Sequence, residues 1–161
     1  MATDPAPRAY LDGLKLLARR ELSVAGLRAR LADREHAPED IDAAVDRLLE
    51  TRALDDRRVA RAHARTALAV KGRGRLRVAR ELHALGIEKD IAAEAVADVF
   101  GDTDERALID KALQKKLRGR PRIASTAEHA RLYQYLMRQG FTPAGVVAAL
   151  RTRGDRTDSI E

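Results

Sequence analysis

Three short segments of this chain align with one another. Leu27-Arg-Ala-Arg-Leu31, Val78-Ala-Arg-Glu-Leu82 and Leu132-Tyr-Gln-Tyr-Leu136 match, each followed by a short turn and an apolar helix beginning near Ile41, Ile91 or Val146. The offsets between Leu31, Leu82 and Leu136 are 51 and 54 residues. A period of this size holds two or three helices and belongs to repeat arrays. Modules so small must dock their apolar faces on neighbours, which predicts an elongated, curved assembly.

A further helix precedes each match, over Tyr10 to Arg20, Asp56 to Val70 and Asp102 to Arg118. The chain therefore divides into three three-helix repeats, 9 to 53, 54 to 100 and 102 to 154, with a polar tail over 155 to 161 expected to fray. Leu27 and Leu31, then Ile41, Val45, Leu48 and Leu49, trace one apolar face of two successive helices. Pro38 suits a first helical turn, Thr142-Pro143 reads as an N-cap followed by a first-turn proline, and Ser125 with Glu128 reads as a capping box. Gly86 and Gly140 stand where helices should end. Strand-like alternation is missing. Thirty alanines against five aromatics favour close helix packing over one deep core, so the predicted class is all-α.

The charge is local. Arg57, Arg58, Arg61, Arg65, Lys71, Arg73, Arg75, Arg77 and Arg80 fall in a window without one Asp or Glu. The chain as a whole carries +6, which leaves 22 basic against 25 acidic side chains elsewhere. A second acid-free stretch holds Lys111, Lys115, Lys116, Arg118, Arg120 and Arg122. Two such patches predict an extended surface for a polyanion or an acidic protein. If Arg73 to Leu85 is helical, Arg73, Arg77 and Arg80 share one face and Leu76, Ala79, Leu82 and Leu85 lie towards the other. Arg58, Arg61 and Arg65 repeat the arrangement on the preceding helix. Guanidinium forks suit carboxylate and phosphate alike, but few aromatics lie near, so base stacking is not expected to dominate.

Catalytic chemistry finds no purchase. Asp55-Asp56 reads as a helix N-cap, since adjacent side chains diverge on a helix. Gly72-Arg-Gly-Arg75 lacks the Lys and Ser or Thr of a phosphate loop and reads as a turn. His36, His63, His83 and His129 are scattered, with no second ligand at helical spacing, and no cysteine is present. Tyr133 and Phe141 are expected in the core of the third repeat. No cofactor, metal or enzyme activity is expected. The absence of cysteine, of an apolar leader and of a long apolar run points to a cytoplasmic protein away from membranes, and the lack of long heptads to a monomer.

Three segments together resemble the RecX family, modulators of the RecA recombinase. Leu54-Asp55-Asp56-Arg57-Arg58-Val59-Ala60 is similar to the family's leucine, aspartate pair and following helix. Gly74-Arg75-Leu76-Arg77-Val78-Ala79-Arg80-Glu81-Leu82 with Leu85-Gly86-Ile87 resembles its most recognisable segment, and Tyr133-Gln-Tyr-Leu136 with Arg138-Gln-Gly-Phe141 its closing motif. The chain departs from the pattern at Arg75, where Pro is usual, at Val59, where Phe is usual, and at Glu35, where Gly is common. The last is expected to alter a turn. The resemblance implies binding in the groove of the RecA filament on single-stranded DNA and damping of its strand exchange, ATP hydrolysis and co-protease activities, with weak direct DNA binding. The alternative is a helical protein that binds nucleic acid without sequence preference and without RecA.

Overall fold

The computed structural model describes residues 5–154; the expected fraying tail lies outside the described residues. Among the described residues there are nine helices and no strand: α1 Pro5–Arg19, α2 Val24–Asp33, α3 Pro38–Glu50, α4 Asp56–Ala69, α5 Arg75–Ala84, α6 Lys89–Phe100, α7 Glu105–Lys116, α8 Thr126–Gln139 and α9 Pro143–Gly154. The all-helical expectation holds.

Local chemistry sets the helix ends. Ser23 caps α2 by accepting the Gly26 N–H at 3.0 Å, and its own hydroxyl donates to the Leu85 carbonyl at 2.6 Å, which explains a buried serine. Pro38 opens α3. Asp55 Oδ1 accepts the Arg58 N–H at 3.1 Å, the N-cap bond expected of it. Its neighbour Asp56 instead reaches back to accept the Val24 N–H at 2.8 Å. Ser125 accepts the Glu128 N–H at 3.1 Å, but the Glu128 carboxylate takes the Ala124 N–H at 2.7 Å, so the expected box is closed one residue early. Thr142 accepts the Gly145 N–H at 3.3 Å and caps α9.

One turn occurs three times. After α2, α5 and α8 the chain enters the left-handed region at Glu35 (φ 63°), Gly86 (φ 75°) and Gly140 (φ 94°). In each case the next N–H returns to the carbonyl of a repeat-marking leucine: His36 to Leu31 at 3.3 Å, Ile87 to Leu82 at 3.2 Å and Phe141 to Leu136 at 3.4 Å. Glu35 does not alter the turn, contrary to expectation. The same bonds hold it in a conformation that favours glycine.

The described residues pack as two compact units, one running up to His63 with Glu81–Ala95, the other holding Ala64–Arg80 with the chain from Val96 onward. In the first, Leu16, Leu27, Leu31, Ile41, Val45 and Leu48 form a core across α1, α2 and α3. His36 Nε2 lies 2.8 Å from Asp12 there, and His63 Nε2 lies 2.7 Å from Glu81. In the second, Ile109, Leu113, Leu117, Leu132, Leu136, Phe141 and Val146 form the core across α7, α8 and α9, with Tyr133 and Tyr135 packed against it. Leu49, expected in the core, is 42% exposed. It directly follows Leu48, and neighbouring side chains on a helix point about 100° apart.

Candidate partner-binding surface

The first-unit arginines of the expected strip do not stand alone. Val59 and Ala60 turn inward on α4, leaving Arg57 and Arg58 exposed and Arg61 half-buried. Arg57 and Arg61 both pair with Glu94 of α6. Arg58 pairs with Glu21 and donates to the Arg52 carbonyl at 3.0 Å. The window is acid-free in sequence but not in space. Coulombic pull on an external anion is reduced where a carboxylate already sits on the guanidinium.

The second unit holds the rest. Arg65, Lys71, Arg75 and Arg80 are exposed and make no ion pair among the described residues. Val70 is 78% exposed at the tip between α4 and α5, beside Lys71. Arg73 lies outside α5, in this connection, where its N–H donates to the Ala67 carbonyl at 3.0 Å. The expected helical face of Arg73, Arg77 and Arg80 therefore does not form, because α5 begins only at Arg75. Arg77 is half-buried and donates to the Arg138 carbonyl at 3.3 Å. The apolar side of α5 differs in part from expectation: Leu82 is fully buried as expected, but so is Val78, while Ala79 is exposed and Leu76 and Leu85 are 43% and 39% exposed. Val78 and Leu82 are four apart, one turn of the same stripe.

In the other acid-free stretch, Lys111 and Lys115 are exposed on α7, and Lys116 lies 4.2 Å above the Tyr135 ring. Arg118 adopts φ 52° just after the helix. Arg120 pairs with Glu128; that hydrogen bond, followed by the Ala124 N–H, holds the Glu128 carboxyl below its ordinary range. Arg122 lines a groove with Ser125, His129 and Arg153. Two bases outside the expected patches join them. Arg131 and Arg138 flank Tyr135 on α8 and, with Lys116, line a groove of about 580 Å³. Their seven-residue spacing around a tyrosine was the available signal, hidden by the apolar residues of the same segment.

Among the described residues no group of three His, Asp or Glu side chains could hold a metal ion, and no helix is long and apolar enough to cross a membrane. Near Phe141, a cavity of about 310 Å³ opens in the second unit.

Nine helices among the described residues, carrying one turn three times, define a protein of three tandem three-helix domains. Family models of the first, second and third RecX three-helix domains match residues 9–48, 55–96 and 103–150. The chain belongs to the RecX family of regulatory proteins. It is 34% identical over 130 residues to Regulatory protein RecX of Chromohalobacter salexigens, covering 81% of this chain and 82% of that one. To Regulatory protein RecX of Halorhodospira halophila it is 33% identical over 136 residues, covering 84% and 82%. The crystal structure of RecX from Lactobacillus salivarius superposes with a TM-score of 0.74 at 15% identity, over 92% of this chain and 96% of that one, a likeness of fold.

Proposed function

We propose that this chain binds the RecA filament on single-stranded DNA, within its helical groove, and restrains strand exchange, ATP hydrolysis and co-protease activity in DNA repair and the SOS response. It acts in the cytoplasm as a monomer, through repeats at 9–53, 54–100 and 102–154. Membership of a regulatory family supports the reading, and the observation that carries it is the set of exposed bases that make no ion pair among the described residues, Arg65, Lys71, Arg75 and Arg80. Such side chains reach an acidic groove without first breaking an internal pair. Lys111, Lys115, Arg118 and Arg122 extend the basic surface, while Arg57, Arg58, Arg61 and Arg120 contribute only after exchanging a carboxylate.

The test is the single-stranded-DNA-dependent ATPase of the cognate RecA with increasing amounts of this protein, beside its binding to bare DNA at the same salt. Inhibition well below the RecA concentration, with weak binding to bare DNA, is the expected result. Tight bare-DNA binding that falls steeply with salt and no inhibition would favour nucleic-acid binding without RecA.

A further inference from the structure

The charge of this chain is divided unequally between its two compact units. Among the described residues, the unit holding Ala64–Arg80 and the chain from Val96 onward carries 17 Lys and Arg against six Asp and Glu, and the other carries 13 against 15. The excess is densest from Lys111 to Gly154, where ten bases stand against a single acid, Glu128. A field of one sign over a stretch this long draws in a polyanion.

Within that stretch lies the groove of about 580 Å³ lined by Lys116 of α7 and by Arg131, Gln134, Tyr135 and Arg138 of α8. Arg131 and Arg138 are exposed and make no ion pair among the described residues. Seven residues apart, they sit about 10 Å from each other along α8 and within about 20° of one face, so each can meet a different phosphate of one strand. Lys116 Nζ lies 4.2 Å above the Tyr135 ring, a contact that holds the ammonium in place and leaves its charge intact, as a carboxylate would not. Glu128, the acid in the wall, is paired with Arg120 and accepts the Ala124 N–H. Lys116, Arg120, Arg131 and Arg138 against Glu128 leave three positive charges in excess.

The lining also separates the possible partners. A protein partner buries apolar side chains at the centre of its contact. The exposed large apolar residues are Leu11, Leu49, Val70, Leu76, Leu85 and Val147, and none of them lines this groove. Contacts with nucleic acid are more polar and far more positive than those between proteins, and a basic groove holding an aromatic ring is the form they take on single strands.

We infer that the groove between α7 and α8 binds the phosphodiester backbone of a nucleic-acid strand, with Lys116, Arg131 and Arg138 on its phosphates and Tyr135 beside them. The inference deepens the proposed function by giving the strand a surface of its own, apart from Arg65, Lys71, Arg75 and Arg80, and rests on that reading only for the source of the strand.

The test is the fluorescence anisotropy of a labelled oligothymidylate of about 20 nucleotides, titrated with the full chain over a range of salt. Arg131→Gln with Arg138→Gln is expected to weaken binding about tenfold at low salt and to lower the log–log salt slope by about 1.4, two phosphate contacts at about 0.7 each. Arg30→Gln with Lys89→Gln, the same change of charge made at exposed bases of the other unit, is expected to leave the slope as it is. A slope unchanged by the first pair of substitutions, or lowered equally by both pairs, overturns the inference. So does polyglutamate that displaces the oligonucleotide as readily as unlabelled oligothymidylate of equal charge, which would make the occupant an acidic protein. In parallel, wild type is added to the RecA ATPase. Absence of inhibition there sinks the RecA reading, and the anisotropy still decides the groove.

Discussion

Gly74 and Gly140 meet backbone to backbone. The Gly74 N–H donates to the Gln139 carbonyl at 2.8 Å and the Leu76 N–H to the Gly140 carbonyl at 3.1 Å, so the start of α5 is laid against the end of α8. A Cβ on Gly74 would lie 2.4 Å from the Gly140 carbonyl carbon and oxygen and 2.6 Å from the Phe141 nitrogen. These are main-chain atoms with no rotamer to yield. Gly74→Ala is expected to lower stability by about 1–3 kcal/mol, read as a fall in the urea midpoint.

Val78 and Leu82, not Leu76 and Leu85, carry the apolar face of α5. Val78→Ala and Leu82→Ala should each destabilise, Leu82→Ala by about 2–5 kcal/mol. Leu76→Ala should cost less than Leu82→Ala, about 1 kcal/mol, because much of its side chain is already in water. Chemical denaturation of the three variants separates the two registers; a larger loss for Leu76→Ala than for Val78→Ala would restore the expected one.

Glu35 occupies a turn that its two counterparts fill with glycine. Left-handed backbone costs an L-residue about 1–2 kcal/mol, part of which glycine returns as extra unfolded-state entropy. Glu35→Gly is therefore expected to stabilise by roughly 0.5–1 kcal/mol. A lower melting temperature would contradict the left-handed assignment.

Asp12 has its carboxyl held below the ordinary range, first by the hydrogen bond to His36 and further by the charges of His36, Arg34 and Lys15, against the opposing effect of burial. A depressed carboxylate stabilises fully above its unfolded value of about 3.9 and loses that contribution as pH falls through the folded value. Unfolding free energy between about pH 5 and pH 2 should fall less steeply in Asp12→Asn than in wild type. Parallel slopes would show that the pair does not couple to folding.

Glu94 draws on both Arg57 and Arg61. Replacing it by Gln should change stability by less than about 1 kcal/mol, since all three side chains keep a large part of their surface in water. If those arginines belong to the contact surface, the variant should inhibit RecA ATPase at up to about fivefold lower concentration. An unchanged titration would remove Arg57 and Arg61 from the surface.

What could be read in the sequence was the chemistry confined to a few neighbouring residues. Ser125, Thr142 and Pro38 announce helix starts, Gly86 and Gly140 announce ends, and the spacing of Leu31, Leu82 and Leu136 marks the repeat. The helix starts and ends depend on contacts within about one helical turn, and the repeat is visible when the chain is aligned with itself. The basic surface was less legible because ion pairs ignore sequence distance: Glu21 lies 37 residues from Arg58, and Glu94 lies 37 from Arg57. The register of α5 was misread for a related reason. Leu76 and Val78 are both apolar and lie about 200° apart around a helix, so which of them is buried is decided by the segments packed against α5, which come from elsewhere in the chain, as Gly140 does against Gly74.

The thrice-used turn also ranks the repeats by how readily they open. Where glycine fills the left-handed position, the closing hydrogen bond forms without backbone strain. At Glu35 it forms against it. Amide protons report that difference through local unfolding. The His36 amide, bonded to Leu31, is expected to exchange with deuterated solvent ahead of the amides of Ile87 and Phe141. The end of α2 is then the first of the three helix ends to let go under stress, giving an otherwise repetitive chain a defined place to begin coming apart.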